Sequence, residues 1–133
     1  MTGWVGDIEN ATLGNTSFRE ALFTGSNMQL TVMRLAPDEE IGVEMHADRD
    51  QFIRVEAGKA RVTFGPSEDT VAETYQVEDD WAVIIPAGTW HNVINTGSSD
   101  LKLYSLYAPP EHPAGTVHPT KADADAAEAA EHH

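Results

Sequence analysis

Short runs of β-branched and aromatic residues, each closed by proline, glycine or aspartate, recur from Met28 to Pro110. MQLTVMRL stops at Ala36-Pro37 and IGVEMH at Ala47-Asp48; DTVAETYQVE, WAVIIPAG, HNVINTG and LKLYSLYAPP follow at similar intervals. QFIRVEAG and KARVTFG flank Gly58 and read as a hairpin. No segment keeps a helical period long enough for the crossover of a βαβ unit, so the pattern predicts an all-β sandwich or barrel. The barrel core is expected at about 28–108 within a single domain of 133 residues. Residues 1–25, rich in Gly, Asn and Thr, read as an N-terminal arm with one helical turn in SFREALFTG. Residues 109–133 read as a C-terminal segment, in which KADADAAEAAE forms either a short surface helix or a tail. The closing His132-His133 has the look of an expression tag and is assigned no function.

Composition removes several classes of function. Eight Lys plus Arg against 22 Asp plus Glu leave a net charge of −14, which repels nucleic acid and anionic membranes at long range. With no cysteine, disulfides, thiolate nucleophiles and thiolate-bound zinc are excluded. MTGWVGDIEN lacks both a basic region and an apolar run, so no signal peptide is expected. Nor does any stretch reach the roughly 18 apolar residues of a membrane span. The expectation is a soluble, cytoplasmic protein that binds neither nucleic acid nor membrane.

GVEMHADRDQFIRVEAG carries the chemistry. Side chains two apart on a strand share a face, so Glu44 and His46 project together while Val43 and Met45 pack on the other side. Gln51 opens the next strand after a short connection, and His91 follows the Pro-x-Gly turn of PAGTWHNVIN. Carboxylate and amide oxygens and two imidazole nitrogens are all competent ligands, and together inside a small barrel they would form a metal site. Taken singly, Glu-x-His is more often a satisfied polar pair, and His91 a turn residue; the joint spacing is what points to metal.

That spacing resembles the small single-domain cupins. Their first motif matches Glu44-x-His46, four residues, Gln51, six residues, Gly58; their second matches Pro86-x-Gly88, two residues, His91, three residues, Asn95. Each motif's opening glycine is replaced, by Asp38 and by Asp80, and the family's first histidine and its glutamate are Glu44 and Gln51 here. The resemblance covers about Met28 to Tyr107 and implies a double-stranded β-helix (jelly roll). DQFIR, PAGTWHN and YAPPEHPAGTVH are similar to a bacterial subgroup loosely labelled mannose-6-phosphate isomerase-like, a label that follows fold more than activity. The substitutions keep the site's single negative charge but exchange an imidazole nitrogen for an amide oxygen. Such a set suits Fe(II), Mn, Co, Ni or Zn better than Cu(I). Glu44, His46 and His91 alone have the two-histidine, one-carboxylate composition of non-haem Fe(II) oxygenases, leaving Gln51 as a fourth ligand or as an orienting donor.

Other residues are open to plainer readings. His112 and His118, in PPEHPAGTVHP, either ride on a segment wrapped over the barrel wall or belong to a cap in which His112 supplies a proton near neutral pH. Asp48 and Asp50 read as turn residues, Arg54 as facing away from Gln51, and Tyr107 as core or rim. Three functions fit: a dioxygenase-type oxidoreductase acting on a small organic molecule, a metal-dependent isomerase or lyase of a sugar or hydroxyacid, and a non-enzymatic module binding a metabolite or metal. The resemblance further implies a homodimer formed by pairing sheets or exchanging terminal strands.

Overall fold

The computed structural model describes residues 2–131; His132 and His133, set aside above as tag residues, lie outside them. A short helix α1 (Ile8–Leu13) precedes strands β1 (Arg19–Thr24), β2 (Gln29–Leu35), β3 (Asp50–Ala57), β4 (Lys59–Gly65) and β5 (Glu73–Glu78). Then come β6 (Ala82–Ile85), β7 (Trp90–Asn95), β8 (Leu101–Ala108), the two-residue β9 (Val117–His118) and helix α2 (Lys121–Glu131). Six strands form one antiparallel sheet in the order β6-β3-β8-β2-β1-β9, and three form the other, β5-β4-β7. The two sheets face each other as a double-stranded β-helix, the architecture that the resemblance implies and that fits the all-β strand pattern.

Alternation decides which side chains lie between the sheets. On β3, Gln51, Ile53 and Val55 are buried, and on β8 so are Leu101, Leu103, Ser105 and Tyr107. Met33 and Leu35 from β2, Ala60 and Val62 from β4 and Val93 from β7 complete the core. Each fully buried Leu or Ile contributes roughly 1.5–3 kcal/mol relative to exposure. Polar residues gather toward one end of this interior, where Gln51 faces Tyr107 across the β3–β8 ladder.

Four local expectations are revised. QFIRVEAG and KARVTFG do not form a hairpin: β3 pairs with β6 and β8, whereas β4 pairs with β5 and β7. Gly58 is the corner where the chain crosses between sheets, at φ +100°, and a Cβ there would come within 3.0 Å of the Asp100 and Leu101 backbone. SFREALFTG supplies strand β1, not a helical turn, because its register with β2 and β9 satisfies the backbone of both neighbours. The arm's helix lies earlier, over Ile8–Leu13, opened by the Asp7 carboxylate accepting from the Asn10 N–H at 3.0 Å. It packs on β8, β3 and β2.

IGVEMH is not a continuous strand. Gly42 sits at φ +105°, its N–H taken by the Asn92 side chain at 2.9 Å, and only isolated bridges join Glu40 to Ile94 and Glu44 to His91. Val43 is correspondingly 46% exposed instead of packed. KADADAAEAAE is a helix, as one of its two readings had it. Thr120 and Asp123 cap it reciprocally, each side chain bonding the other's backbone N–H at 3.1 Å, and Ala124 is buried against the core. No helix among the described residues is long and apolar enough to cross a membrane.

Candidate metal centre

The pairing of Glu44 with His91 builds the site from backbone upward. Each N–H donates to the other's carbonyl at 2.9 Å, which sets the two side chains side by side. The turn Pro86-Ala87-Gly88-Thr89 then fixes both histidines. Gly88, at φ +80°, donates its N–H to the His46 carbonyl at 2.8 Å, and the Thr89 carbonyl lies 2.9 Å from His91 Nδ1. Asp50, read from the sequence as a turn residue, instead opens β3 and holds the Pro86–Thr89 turn by accepting the Ala87 N–H at 2.9 Å.

A carbonyl only accepts, so His91 carries a proton on Nδ1, and Nε2 is the nitrogen it turns inward. That Nε2 lies 3.4 Å from Glu44 Oε1, and His46 Nε2 lies 3.5 Å from the same oxygen. His46 Nδ1 in turn meets the Glu111 carboxylate at 3.2 Å, and Glu111 is itself gripped by Arg49. Both imidazoles thus have their outer nitrogen engaged and their inner nitrogen free to ligate, the carboxylate–histidine arrangement found behind many metal ligands.

Donor atoms about 2.1 Å from one ion must stand roughly 3–3.5 Å apart. The two measured separations meet that requirement, and the ligand atoms of Glu44, His46 and His91 all lie within 4.8 Å of one another. The Nε2 atoms of His46 and His91 are buried with no hydrogen-bond partner, as is Gln51 Oε1. Gln51 is 2% exposed, and its amide N–H donates to Ser105 Oγ at 3.3 Å, leaving that oxygen unspent. Three buried polar atoms without a partner beside one carboxylate fit a divalent cation that would displace the centre's proton.

The electrostatics agree. Burial alone would raise Glu44, but His46 and His91 bring it down to about 2. Burial alone would lower His46, but Glu111 and Glu44 lift it to about 9, so without metal a proton occupies this centre. Burial opposes ionisation of Glu111 too, and is outweighed by His46 and Arg49, which hold it below the ordinary carboxylate range.

His112 lies nearby, in the segment that caps the barrel mouth. Its backbone N–H donates to Gln29 Oε1 at 3.0 Å and its carbonyl accepts from Gln29 Nε2 at 2.8 Å, anchoring the segment to β2. The ring packs edge-on against Tyr107 at 5.4 Å, and Tyr107 against His46 at 5.9 Å. Burial first, then the Arg19 charge, pushes His112 down to about 4. At neutral pH it is therefore an uncharged polar group, not a stored proton. Arg54 points away from Gln51 and pairs with Asp80 and Glu56.

The family model of the cupin domain matches residues 31–107. This chain is a cupin. The protein YrkC of Bacillus subtilis (strain 168) is 55% identical over 125 residues, covering 94% of this chain and 67% of YrkC. A protein of Acanthamoeba polyphaga mimivirus is 39% identical over 115 residues, covering 86% of this chain and 70% of its own. Among solved structures, a Bacillus halodurans protein (BH2720) superposes with a TM-score of 0.91 at 53% identity, covering 92% of this chain and 93% of that one.

Within this cupin, Glu44, His46 and His91 come together, and Gln51 is buried at the same end of the barrel. Glu111, Arg49, Arg19 and Thr89 were not foreseen. Glu111 lies 65 positions beyond His46, and nothing in the local spacing of EHP signals that it returns to the site. Thr89 acts through its carbonyl, which any residue would supply.

Proposed function

We propose that this cupin is a metal-dependent enzyme acting on a small organic molecule, with dioxygenase-type oxidation the reaction class its donor set favours. One observation carries the reading: two histidines whose outer nitrogens are engaged turn both Nε2 atoms on a single carboxylate oxygen, 3.5 and 3.4 Å away. Glu44, His46 and His91 would hold the ion, with Gln51 Oε1 available as a fourth donor. Bound there, iron would supply O2 chemistry, and Zn, Mn, Co or Ni Lewis-acid chemistry. The chain's own contribution is to fix the ligand tautomers through Glu111 and Thr89 and to keep the centre dry. Burial holds the Tyr107 phenol protonated, so its ring serves as a wall.

A second reading, a redox-neutral isomerase or lyase of a sugar or hydroxyacid, is favoured by neutral His112 lining the same cavity as Glu44. A non-enzymatic metabolite- or metal-binding role would follow if Gln51 and the triad leave no position for a substrate. Metal content followed by O2 uptake separates the three. Iron with substrate-dependent O2 consumption supports the first. Zinc or nickel with turnover but no O2 consumption supports the second, and tight ligand binding without turnover the third. We further infer a homodimer. β1 fills the edge beside β2 within its own chain, so the support comes from apolar surface, with Met28 53% and Ile84 68% exposed. Light scattering at two concentrations tests it.

A further inference from the structure

Between the barrel mouth and α2 lies a cavity of about 120 Å³, where Arg19, His112 and His118 share the lining with the carboxylates of Glu44 and Glu111 and, from the helix, Asp125 and Glu128. Arg19 is the unusual member. It is 7% exposed, and burying a guanidinium costs several kcal/mol unless a charge partner offsets it. Arg34, Arg49 and Arg54 each have a carboxylate partner, Asp100, Glu111 and Asp80 respectively. Among the described residues Arg19 forms no such ion pair. Its Nη1 donates to His118 Nδ1 at a long 3.4 Å, its Cζ stacks 5.4 Å from the Phe18 ring, and its Nε is buried without a partner. His112 Nε2, in the same cavity, is likewise buried and unpartnered.

We propose that this cavity binds a small carboxylic acid carrying a second oxygen, a 2-hydroxy or 2-oxo acid, with its carboxylate on Arg19. Guanidinium matches a carboxylate through two parallel N–H donors, and burial makes that pairing selective. Glu44 lines the same space, so the acid's second oxygen faces the metal-ligand cluster while His112 offers it a neutral polar contact. Size limits the acid to a few carbons, because the volume is well under the roughly 300–1,000 Å³ of drug-sized pockets. The chain's net charge of −14 and the carboxylates around the cavity both oppose an anion, Glu111 least because His46 and Arg49 already pair with it, so selection must come from Arg19 itself. The inference rests on the metal-dependent reading for the position of the second oxygen, but not for the Arg19 contact.

Calorimetry with glycolate, lactate and pyruvate beside their amides tests it, on unchanged protein, Arg19→Met and Arg19→Lys. Each is measured metal-free and metal-loaded, with metal content determined on every sample. At least one acid should bind tenfold or more tighter than its amide. Arg19→Met should erase that preference with metal content unchanged, and Arg19→Lys should retain part of it. No acid binding, acid and amide binding alike, or a preference that survives Arg19→Met would overturn the proposal. Should Arg19→Met fail to fold, the acid–amide comparison on unchanged protein still decides. An acid preference in protein that takes up no metal would remove the metal-dependent reading and leave this site standing; metal uptake without acid preference would do the reverse.

Discussion

Glu111 and Asp38 show how single residues set what this cupin can hold and how firmly. Glu111 anchors His46 Nδ1, so Glu111→Ala should weaken metal binding roughly 10- to 100-fold by loosening the ligand's tautomer and orientation. A competition titration against a chromophoric chelator measures it; equal affinities would mean His46 is held by packing alone. Asp38 and Asp80 stand where the family motifs open with glycine, and they are the two non-glycine residues with positive φ among those described, at +69° and +72°. The chain kept the backbone shape and lost the residue that adopts it without strain. Asp38→Gly should therefore stabilise the fold by about 1 kcal/mol, and Asp38→Val should destabilise it. Chemical denaturation reads both. Asp80 is a poorer probe because it also pairs with Arg54.

At the scale of elements, the C-terminal segment is tied down by one fully buried side chain. Gln29 donates to Thr24 Oγ1 and the His112 carbonyl and accepts the backbone N–H groups of Glu111 and His112. Gln29→Leu should cost about 2–3 kcal/mol, speed amide exchange at Glu111 and His112, and weaken metal binding indirectly by freeing Glu111. Unchanged exchange at 111–112 would show that α2 and β9 hold the segment without it. The same scale explains what the sequence made legible. Runs of β-branched and aromatic residues closed by turn residues made the strands legible, and the Pro86-x-Gly88 turn located His91. Local periodicity could not distinguish a hairpin from the sheet-crossing corner at Gly58, since both place glycine between two strands. SFREALFTG is amphipathic at either period, and only its partners β2 and β9 make it a strand. Arg19 and Glu111 reach the cavity from opposite ends of the chain, a proximity that no local pattern encodes.

For the whole molecule, the proton at the centre links stability to metal. His46 has its folded pKa raised from 6.5 to about 9, so its contribution is complete below pH 6.5 and lost as pH rises through 9. At about 1.4 kcal/mol per pH unit, the loss is on the order of 3 kcal/mol. Glu44 behaves oppositely: with its folded pKa lowered from 4.5 to about 2, its contribution is present above pH 4.5 and lost as pH falls toward 2. Metal-free protein should accordingly lose stability between pH 6.5 and 9, while metal-loaded protein, its ligands held by the cation instead of the proton, should lose much less. Parallel denaturation series at pH 6, 7.5 and 9 check this, and identical slopes for the two forms would contradict it. The most direct test of the centre is elemental mass spectrometry on untagged protein purified without added metal, beside Glu44→Ala and His91→Ala. Near one divalent transition-metal ion per chain, lost in both folded variants, is the predicted result. A metal-free protein that also fails to take up Fe(II), Mn, Co, Ni or Zn on titration would contradict it.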